Sequence, residues 1–307
     1  METQDEISQE KKILIAVTVD VEDWYHIPSV TGSPFSKYKD VDDFFAKWKG
    51  RYDYLSKPTS RVLDMLDEFN IHATFFVVAD VTEHYPGLVE QIVERGHEIA
   101  CHGLHHACKI HPRTKKPFIS QEEFESRTLQ AKEMLEKASG QKVIGYRAPA
   151  AYVAGWMIDS LEKLGFKYDS SVSVNSFYNK SDSKLSGVGT RPYYPREHSL
   201  EPGEQREIME LPWPYFQFGL KFPTGGGPLL RFLGARYIQR GLEQSQKRGD
   251  TLFYFHPIDI ATEKFPSGFA AKRPFYWLIK GEVVERRIRY ILTSTDNHMG
   301  ICAEMLK

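Results

Sequence analysis

The sequence predicts an α/β fold in which parallel strands alternate with crossover helices. Short runs rich in β-branched and aromatic residues alternate along the chain with stretches whose apolar residues recur at helical spacing. Glycines and capping residues stand at the ends of several helical stretches. No low-complexity linker and no internal repeat divides the 307 residues, so one α/β domain is favoured over two.

The first part of the chain predicts three strands and two helices. The strands are short runs dominated by Ile, Val, Phe and Ala, and each helix carries an apolar stripe along one face. Gly96 follows the second helix and ends it. In chain order the predicted elements are strand 13–19, helix 59–69, strand 73–78, helix 88–93 and strand 98–102.

The alternation continues in the second part of the chain. A capping box, Ser120-Gln121-Glu122-Glu123, opens a helix that is predicted to run to about Ser139. The elements predicted after it are strand 143–146, helix 156–164, strand 208–211, helix 229–247, strand 251–255 and helix 276–293. Residues 13–307 are therefore predicted to form a single domain with a C-terminal helical extension, after a disordered N-terminal segment at 1–12.

The composition argues against several functional classes. A net charge of −1 gives no broad basic surface for nucleic acid. The longest apolar run, residues 13–19, is too short to cross a bilayer, so no stable membrane insertion is expected. The polar N-terminus lacks the apolar run of a secretory signal, which together with only three cysteines predicts a cytoplasmic location. The sequence does not predict the oligomeric state.

Charged or imidazole side chains follow four of the predicted strands. In parallel α/β folds the chemistry gathers at the carboxyl ends of the strands, so these residues are expected to meet. They are Asp20, Glu22 and Asp23 after the first strand, His102 and His106 after the third, Arg147 after the fourth, and His256 after the last.

The acidic and histidine residues in this group predict a metal site. Asp20 and Glu22 are two apart, so an extended strand directs both to one face, whereas Asp23 starts on the other face unless the chain turns. His102 and His106 are four apart, which one helical turn or a compact loop would bring together. Two imidazoles and one carboxylate bind Zn²⁺ or another divalent transition metal and leave positions open for water and substrate.

The same residues predict hydrolysis of an amide or ester. A bound divalent metal lowers the pKa of its water and polarises a carbonyl oxygen. A carboxylate that does not bind the metal can accept the proton of the attacking water. His256 is the candidate acid for the leaving amine, and peptide N–H groups after Arg147 are candidates for stabilising the oxyanion.

Five segments in one order resemble the polysaccharide deacetylase family, carbohydrate esterase family four, which has the NodB homology fold. The resemblance covers about residues 13–260. It rests on the segments Thr18-Val19-Asp20-Val21-Glu22-Asp23, Ala73-Thr74-Phe75-Phe76-Val77, Gly96 to His106, Tyr146-Arg147-Ala148-Pro149 and Phe253-Tyr254-Phe255-His256-Pro257. The segments Glu210-Leu211-Pro212 and Gly225-Gly226-Gly227 further resemble the branch found with exopolysaccharide and exosortase gene clusters.

The resemblance implies an irregular (β/α)7 barrel and removal of N-acetyl groups from an acetamido sugar. It implies Asp20 as base, His256 as acid, Arg147 as the group that orients the base, and His102 and His106 as metal ligands. The backbone N–H of Ala150 would then donate to the oxyanion, and Pro149 and Ala150 are expected to contact the substrate. Zn²⁺ is the expected metal, with Co²⁺ or Ni²⁺ as alternatives, and an acetylated sugar is the expected substrate.

The third ligand departs from the family pattern. The family usually has Asp where this sequence has Glu22, so Glu22 is preferred as the ligand and Asp23 is the alternative. Two other functions stay open: a metal-free, allantoinase-like amidohydrolase acting on a small amide, and a catalytically inactive carbohydrate-binding homologue. Retention of both histidines argues against the first alternative.

Two aromatic residues next to the motifs are candidates for stacking on sugar rings. Trp24 follows the first group of acidic residues, and Trp213 follows Glu210-Leu211-Pro212. Flat apolar rings suit the C–H faces of pyranoses, although buried aromatic residues more often belong to the core. The run Gly225-Gly226-Gly227 lacks the Lys-Ser/Thr that follows in a P-loop, so it is predicted to be a flexible loop.

Overall fold

The fold consists of one large parallel sheet, a small antiparallel hairpin and surrounding helices. It is seen in a computed structural model that describes residues 13–48, 53–263, 279–294 and 298–307, so the predicted disordered segment 1–12 lies outside the described residues. The strands are β1 (Leu14–Val21), β2 (Thr74–Val77), β3 (Glu98–Cys101), β4 (Gly145–Tyr146), β5 (Tyr168–Asp169), β6 (Met209–Glu210), β7 (Tyr215–Phe218), β8 (Leu220–Pro223), β9 (Thr251–Phe255) and β10 (His298–Gly300). The helices are α1 (Val41–Lys47), α2 (Ser56–Glu68), α3 (Val81–His84), α4 (Leu88–Glu94), α5 (Gln121–Ser139), α6 (Gly155–Lys163), α7 (Pro228–Leu233), α8 (Ala235–Gln246) and α9 (Glu282–Thr293).

The large sheet is parallel throughout and curls into an incomplete barrel. In the described part of the chain its strands follow the order β10-β1-β2-β3-β4-β5-β6, and β9 pairs with β1. Since β9 pairs along residues 15–19 of β1, β10 and β2 share the opposite edge of that strand. The α/β class and the barrel are therefore confirmed.

Strand β1 shows how the sheet separates its two faces. Ile15, Val17 and Val19 belong to the main core between sheet and helices, whereas Leu14 and Ala16 belong to a smaller cluster inside the barrel. Because side chains alternate along a strand, the inner row of residues 14 and 16 continues to residues 18 and 20. The row that is apolar at the base of the barrel thus becomes polar at the carboxyl end of the strand.

The predicted glycine-rich loop is in fact a packed part of the barrel wall. Gly225 O accepts a hydrogen bond from Tyr254 N at 2.8 Å, and Gly227 N donates to Tyr254 O at 3.2 Å, so the segment lies beside β9. A Cβ atom at Gly226 would lie 1.8 Å from Tyr254 O. The glycines are needed because two backbones approach closely here, and the prediction of a flexible loop was wrong.

Other differences concern the ends of elements and the short elements. The predicted helix 229–247 is divided into α7 and α8 at Gly234, whose φ of +81° interrupts the helical geometry. The predicted start of the last helix, Tyr276, lies outside the described residues, and the described helix begins at Glu282. The hairpin β7–β8, strand β10 and helix α1 were not predicted. Among the described residues, no helix combines the length and apolar character needed to cross a membrane.

Candidate metal centre

One cavity at the carboxyl ends of the barrel strands collects the residues predicted to be reactive. The predicted groups after β1, β3, β4 and β9 all contribute to its wall. Its lining includes Asp20, Glu22, His102, His106, Arg147 and His256, together with Ala150, Lys180, Trp213 and Arg231. The separate strand ends therefore meet as the parallel topology requires.

Glu22, His102 and His106 form a group that could hold a metal ion. One potential ligand atom from each residue lies within 4.8 Å of the others, and all three residues are buried. His102 Nδ1 lies 2.8 Å from the carbonyl oxygen of Arg147, and His106 Nδ1 lies 2.9 Å from that of His26. Since a carbonyl oxygen only accepts, each Nδ1 carries a proton, and in the neutral ring each Nε2 then offers its lone pair.

The environment of Glu22 fits a divalent cation. Its Oε2 lies 2.9 Å from His106 Nε2, a nitrogen without a proton in this tautomer, and no hydrogen-bond donor in the described structure satisfies that buried oxygen. Two facing lone pairs are unfavourable unless a proton or a cation lies between them. Two imidazole nitrogens and one carboxylate form the donor set of open divalent transition-metal sites.

The ionisation of these groups is consistent with that donor set. Burial raises the pKa of Glu22, but positive charge beside the carboxylate, on His106 and His256 when those rings are protonated, holds the pKa well below its usual value, so the side chain is a carboxylate. A metal ion in the ligand group would supply that charge in place of a proton on His106. Burial lowers the pKa of His102 to about 4, although Asp20 partly opposes the shift, so its imidazole is neutral near pH 7. Both are the protonation states that metal ligands need.

Asp23, the alternative third ligand, lies outside the ligand group. Its carboxylate accepts a hydrogen bond from Trp24 N at 2.6 Å and another from the Tyr85 hydroxyl. It caps a 3-10 turn, Trp24–His26, and burial raises its pKa to about 6. The chain leaves the extended conformation here, but the turn directs the Asp23 carboxylate away from the cavity.

Arg147 holds Asp20 in place beside the ligand group. Its NH1 group donates to Asp20 Oδ1 at 2.6 Å and to Thr18 Oγ1 at 3.0 Å. Its Nε and NH2 groups donate to the backbone and side-chain oxygens of Ser170, at 3.0 and 2.9 Å. Asp20 Oδ2 is not part of this arrangement and lies 4.0 Å from His256 Nε2. One oxygen of Asp20 is thus fixed and the other faces the cavity.

His256 lies between two carboxylates. Its Nδ1 is 3.0 Å from Asp259 Oδ2 and its Nε2 is 2.9 Å from Glu22 Oε1. Burial disfavours the imidazolium, but Asp259 and Glu22 raise the pKa of His256 well above its usual value. Arg231 in turn pairs with Asp259 at 3.2 Å. His256 therefore carries a proton that its surroundings hold toward the cavity.

The turn after Arg147 has unusual backbone geometry. Ala150 and Ala151 both have left-handed conformations, with φ of 54° and 59°, which non-glycine residues seldom adopt. The N–H of Ala150 donates to His106 Nε2 at 3.3 Å, so it points at the ligand group. Pro149 is buried beside Gly103 and is not among the residues that line the cavity, so its contact with substrate stays a prediction.

The two tryptophans expected to bind sugar differ in location. Trp213 lines the cavity, packs on Tyr254 with ring centroids 4.4 Å apart and donates from Nε1 to Ser170 O. Trp24 lies in an aromatic cluster with Phe44 and Tyr54 and is only 3% exposed. Trp24 is therefore a core residue, because the turn that begins at Asp23 directs it between helices.

Several residues of the site were missed in the sequence. Asp259 follows His256 at a spacing of three, which is the one signal that could have identified it as a partner. Arg231 and Lys180 come from segments without any recognisable motif, and only the folded chain brings them to the cavity.

The fold and the site define a class of protein, a parallel α/β barrel with a buried His-His-Glu group at the carboxyl ends of its strands. Residues 50–168 match the family model described as polysaccharide deacetylase. Residues 176–305 match a second model, described as a domain of unknown function (DUF3473). Neither of the two matched models distinguishes the narrower branch found with exosortase gene clusters. The assignment of the chain to that branch therefore stays a prediction.

Two relatives and one solved structure give the extent of the similarity. The chain is 27% identical over 200 residues to the peptidoglycan deacetylase of Helicobacter pylori, covering 55% of this chain and 61% of the relative. It is 28% identical over 109 residues to a peptidoglycan-N-acetylglucosamine deacetylase of Bacillus cereus, covering 36% and 47%. The chain thus spans about half to three-fifths of the length of these relatives.

The structural comparison concerns the fold. The structure of a putative polysaccharide deacetylase from Mycobacterium smegmatis superimposes with a TM-score of 0.61 at 22% identity, covering 97% of this chain and 90% of that one. At this level of identity the comparison confirms the NodB-type barrel that the sequence motifs implied.

Proposed function

We propose that the chain is a metal-dependent carbohydrate N-deacetylase. It would remove acetyl groups from an acetamido sugar in a polysaccharide, an oligosaccharide or a sugar-linked biosynthetic intermediate. The observation that carries the proposal is one cavity that holds a His-His-Glu group, a carboxylate fixed by arginine and a histidine fixed by a second carboxylate. The match of residues 50–168 to the polysaccharide deacetylase model and the names of the relatives support the choice of substrate.

In this proposal Glu22, His102 and His106 hold a divalent transition metal, with Zn²⁺ preferred and Co²⁺ or Ni²⁺ as alternatives. Bound there, the metal would supply Lewis acidity toward the amide oxygen and toward a water molecule. The neutral imidazole of His102 and the unsatisfied oxygen of Glu22 support this assignment.

Two side chains move protons in the proposed reaction. Asp20 accepts the proton of the attacking water through Oδ2, because Arg147 engages Oδ1. His256 donates a proton to the leaving amine through Nε2, because Asp259 engages Nδ1. The Ala150 N–H stabilises the developing oxyanion, since it points at the ligand group from a turn with little freedom to move.

We further propose that residues 13–307 form one domain. The sheet supports this proposal, because β1 pairs with β2 in the first matched segment and with β9 and β10 in the second. The cytoplasmic location expected from the sequence stays a prediction.

The test is acetate release from chitooligosaccharides by the full chain, with and without added Zn²⁺, Co²⁺ and Ni²⁺, before and after chelation. We expect release that is lost on chelation and restored by one of these ions. Full activity with no detectable bound metal would overturn the metal assignment and favour the metal-free amidohydrolase. Sugar binding without turnover under every metal condition would favour the inactive carbohydrate-binding homologue.

A further inference from the structure

Two lysines, Lys180 and Lys115, lie close to the Tyr152 ring at one side of the cavity. Lys180 lines the cavity wall, and its Nζ donates to the carbonyl oxygen of Ala150 at 2.9 Å. The Nζ atoms of Lys180 and Lys115 lie 5.6 and 5.2 Å from the centroid of the Tyr152 ring. Neither lysine forms an ion pair with a carboxylate among the residues that the structure describes.

The nearest acid along the chain does not neutralise this pair. Asp182 is only two residues from Lys180, but its carboxylate accepts hydrogen bonds from the backbone N–H of Gly155 at 3.2 and 3.3 Å. Burial lowers the pKa of Lys180, and the nearby Lys115 lowers it further. A half-buried ammonium group beside a second cation is unfavourable unless an anion compensates both.

The pair is close enough to the ligand group to contact the same substrate molecule. The Ala150 N–H lies 3.3 Å from His106 Nε2, and Lys180 Nζ lies 2.9 Å from the carbonyl oxygen of the same residue. Standard bond lengths then place Lys180 Nζ at most about 10 Å from His106 Nε2. A group attached to the reacting sugar, or to its neighbour in a chain, can span that distance.

We propose that Lys180 and Lys115 bind an anionic group, a phosphate or a carboxylate, carried by the acetamido sugar beside the acetyl group that is removed. The inference rests on the proposed function and defines its substrate class as an anionic acetamido sugar. Tyr152 and Tyr178 complete the surface, with their hydroxyl groups in contact and Lys115 Nζ 5.1 Å from the Tyr178 ring centroid. Ammonium groups and phenol hydroxyls are suitable donors for such oxygens.

The test is a calorimetric comparison of matched sugars binding to the full chain. N-acetylglucosamine 1-phosphate is compared with N-acetylglucosamine, and a hyaluronan tetrasaccharide, which carries carboxylates, is compared with chitotetraose. We expect at least one anionic sugar to bind about tenfold more tightly than its neutral counterpart, with a preference that weakens as salt is added. The two pairs distinguish phosphate from carboxylate.

Substitutions test whether the two lysines cause the tighter binding of the anionic sugar. Lys180→Met and Lys115→Met should each reduce it, Lys180→Arg should retain it, and Lys184→Met, a matched charge change at an exposed position of the same loop, should leave it intact. Equal or weaker binding of both anionic sugars, no binding of either, or a preference that survives the double lysine-to-methionine variant would overturn the proposal.

The binding test is separate from the test of the proposed function. It requires no turnover, so a lysine-dependent preference without acetate release would contradict the deacetylase and leave the anion site standing. Acetate release without such a preference would support the deacetylase and contradict the anion site. If Lys180 only supported Ala150, Lys180→Met would lower kcat on neutral and anionic sugars alike. Under the proposal, Lys180→Met raises KM for the anionic sugar alone.

Discussion

The NH1 group of Arg147 donates to Oδ1 of Asp20 across 2.6 Å, and both side chains are buried at the end of the barrel. The guanidinium also lies 3.9 Å from the centroid of the Phe76 ring, so it is enclosed from a second side. An arginine held this firmly leaves Asp20 little freedom to rotate. The carboxylate is thereby oriented before any substrate enters, which is the preorganisation that proton transfer requires.

Asp20→Asn should abolish proton transfer while preserving the fold. The amide oxygen of the new side chain still accepts from Arg147, but the side chain no longer acts as a base. We expect kcat for acetate release to fall by roughly 10²- to 10⁴-fold with little change in bound metal. A wild-type kcat in the Asp20→Asn variant would exclude Asp20 as the base.

Removal of an imidazole ligand should remove the metal. His102→Ala and His106→Ala should each bind substoichiometric metal after dialysis and release no acetate, as measured by elemental analysis and an acetate assay. His105→Gln is the matched control, because His105 lies in the same loop but its Nδ1 faces Asp80 at 2.9 Å. Metal retained at wild-type stoichiometry in both alanine variants would place the site elsewhere.

The choice between Glu22 and Asp23 can be tested with a pair of amide substitutions. Glu22→Gln removes a charged donor from the ligand group and should weaken metal affinity by at least about tenfold. Asp23→Asn should leave the affinity unchanged, because the Asp23 carboxylate accepts from Trp24 and Tyr85. The opposite pattern in metal titrations would make Asp23 the ligand.

Substitution of Trp24 should lower stability, whereas substitution of Trp213 should change the kinetics. Trp24→Ala opens a hole in an aromatic cluster and should lower the free energy of unfolding by about 3–5 kcal/mol. Trp213→Phe retains a flat ring at the cavity wall but loses the hydrogen bond to Ser170, so we expect a change mainly in kcat/KM. Urea denaturation and steady-state kinetics separate the two, and equal losses of stability would contradict the assignment.

His97 should make stability depend on pH between about 6.5 and 4. Burial lowers its pKa to about 4 in the folded chain, against about 6.5 when unfolded. The unfolded state therefore binds a proton first as pH falls, and stability decreases across this window and is fully regained above it. The loss should be on the order of 2 kcal/mol.

The comparison variant for His97 is His97→Asn. The Nδ1 of His97 accepts from the backbone N–H of Ala73, and an Asn oxygen can replace this acceptor without titrating. Urea unfolding at pH 7, 6 and 5 should show a smaller loss in the variant than in the wild-type chain. Parallel losses in the two proteins would assign the pH dependence to other groups.

Much of the fold follows from patterns that are local in the sequence. Strand β9 is predicted and found at residues 251–255, and α5 begins where its Ser120 cap is predicted. Local patterns did not reveal the two-residue strand β5, although the predicted strands 143–146 and 208–211 contain the equally short β4 and β6. The division of the helix at Gly234 was also missed, since an isolated glycine is often tolerated within a helix.

For the site, the sequence predicts which reactive side chains follow the strands, but it does not predict which residues surround them. The period-two rule correctly put Asp20 and Glu22 on one side. It could not show that Asp23 begins a turn that carries Trp24 into the core, because that outcome depends on Tyr85 and on helix α1. Contacts such as Lys180 with Ala150 depend on tertiary packing of distant segments and leave no mark in the sequence.

The cavity draws its groups from the whole length of the chain. Asp20 and Glu22 precede the segment matched as polysaccharide deacetylase, His102 lies inside it, and His256 lies in the segment of unknown function. Recombination between relatives at the junction near residue 170 would therefore exchange His256, the proposed proton donor, while keeping His102 and His106, the proposed metal ligands. The protein encoded by such a hybrid gene would combine cavity residues from two different relatives. We therefore expect the two matched segments to be inherited together and not to be exchanged separately between relatives.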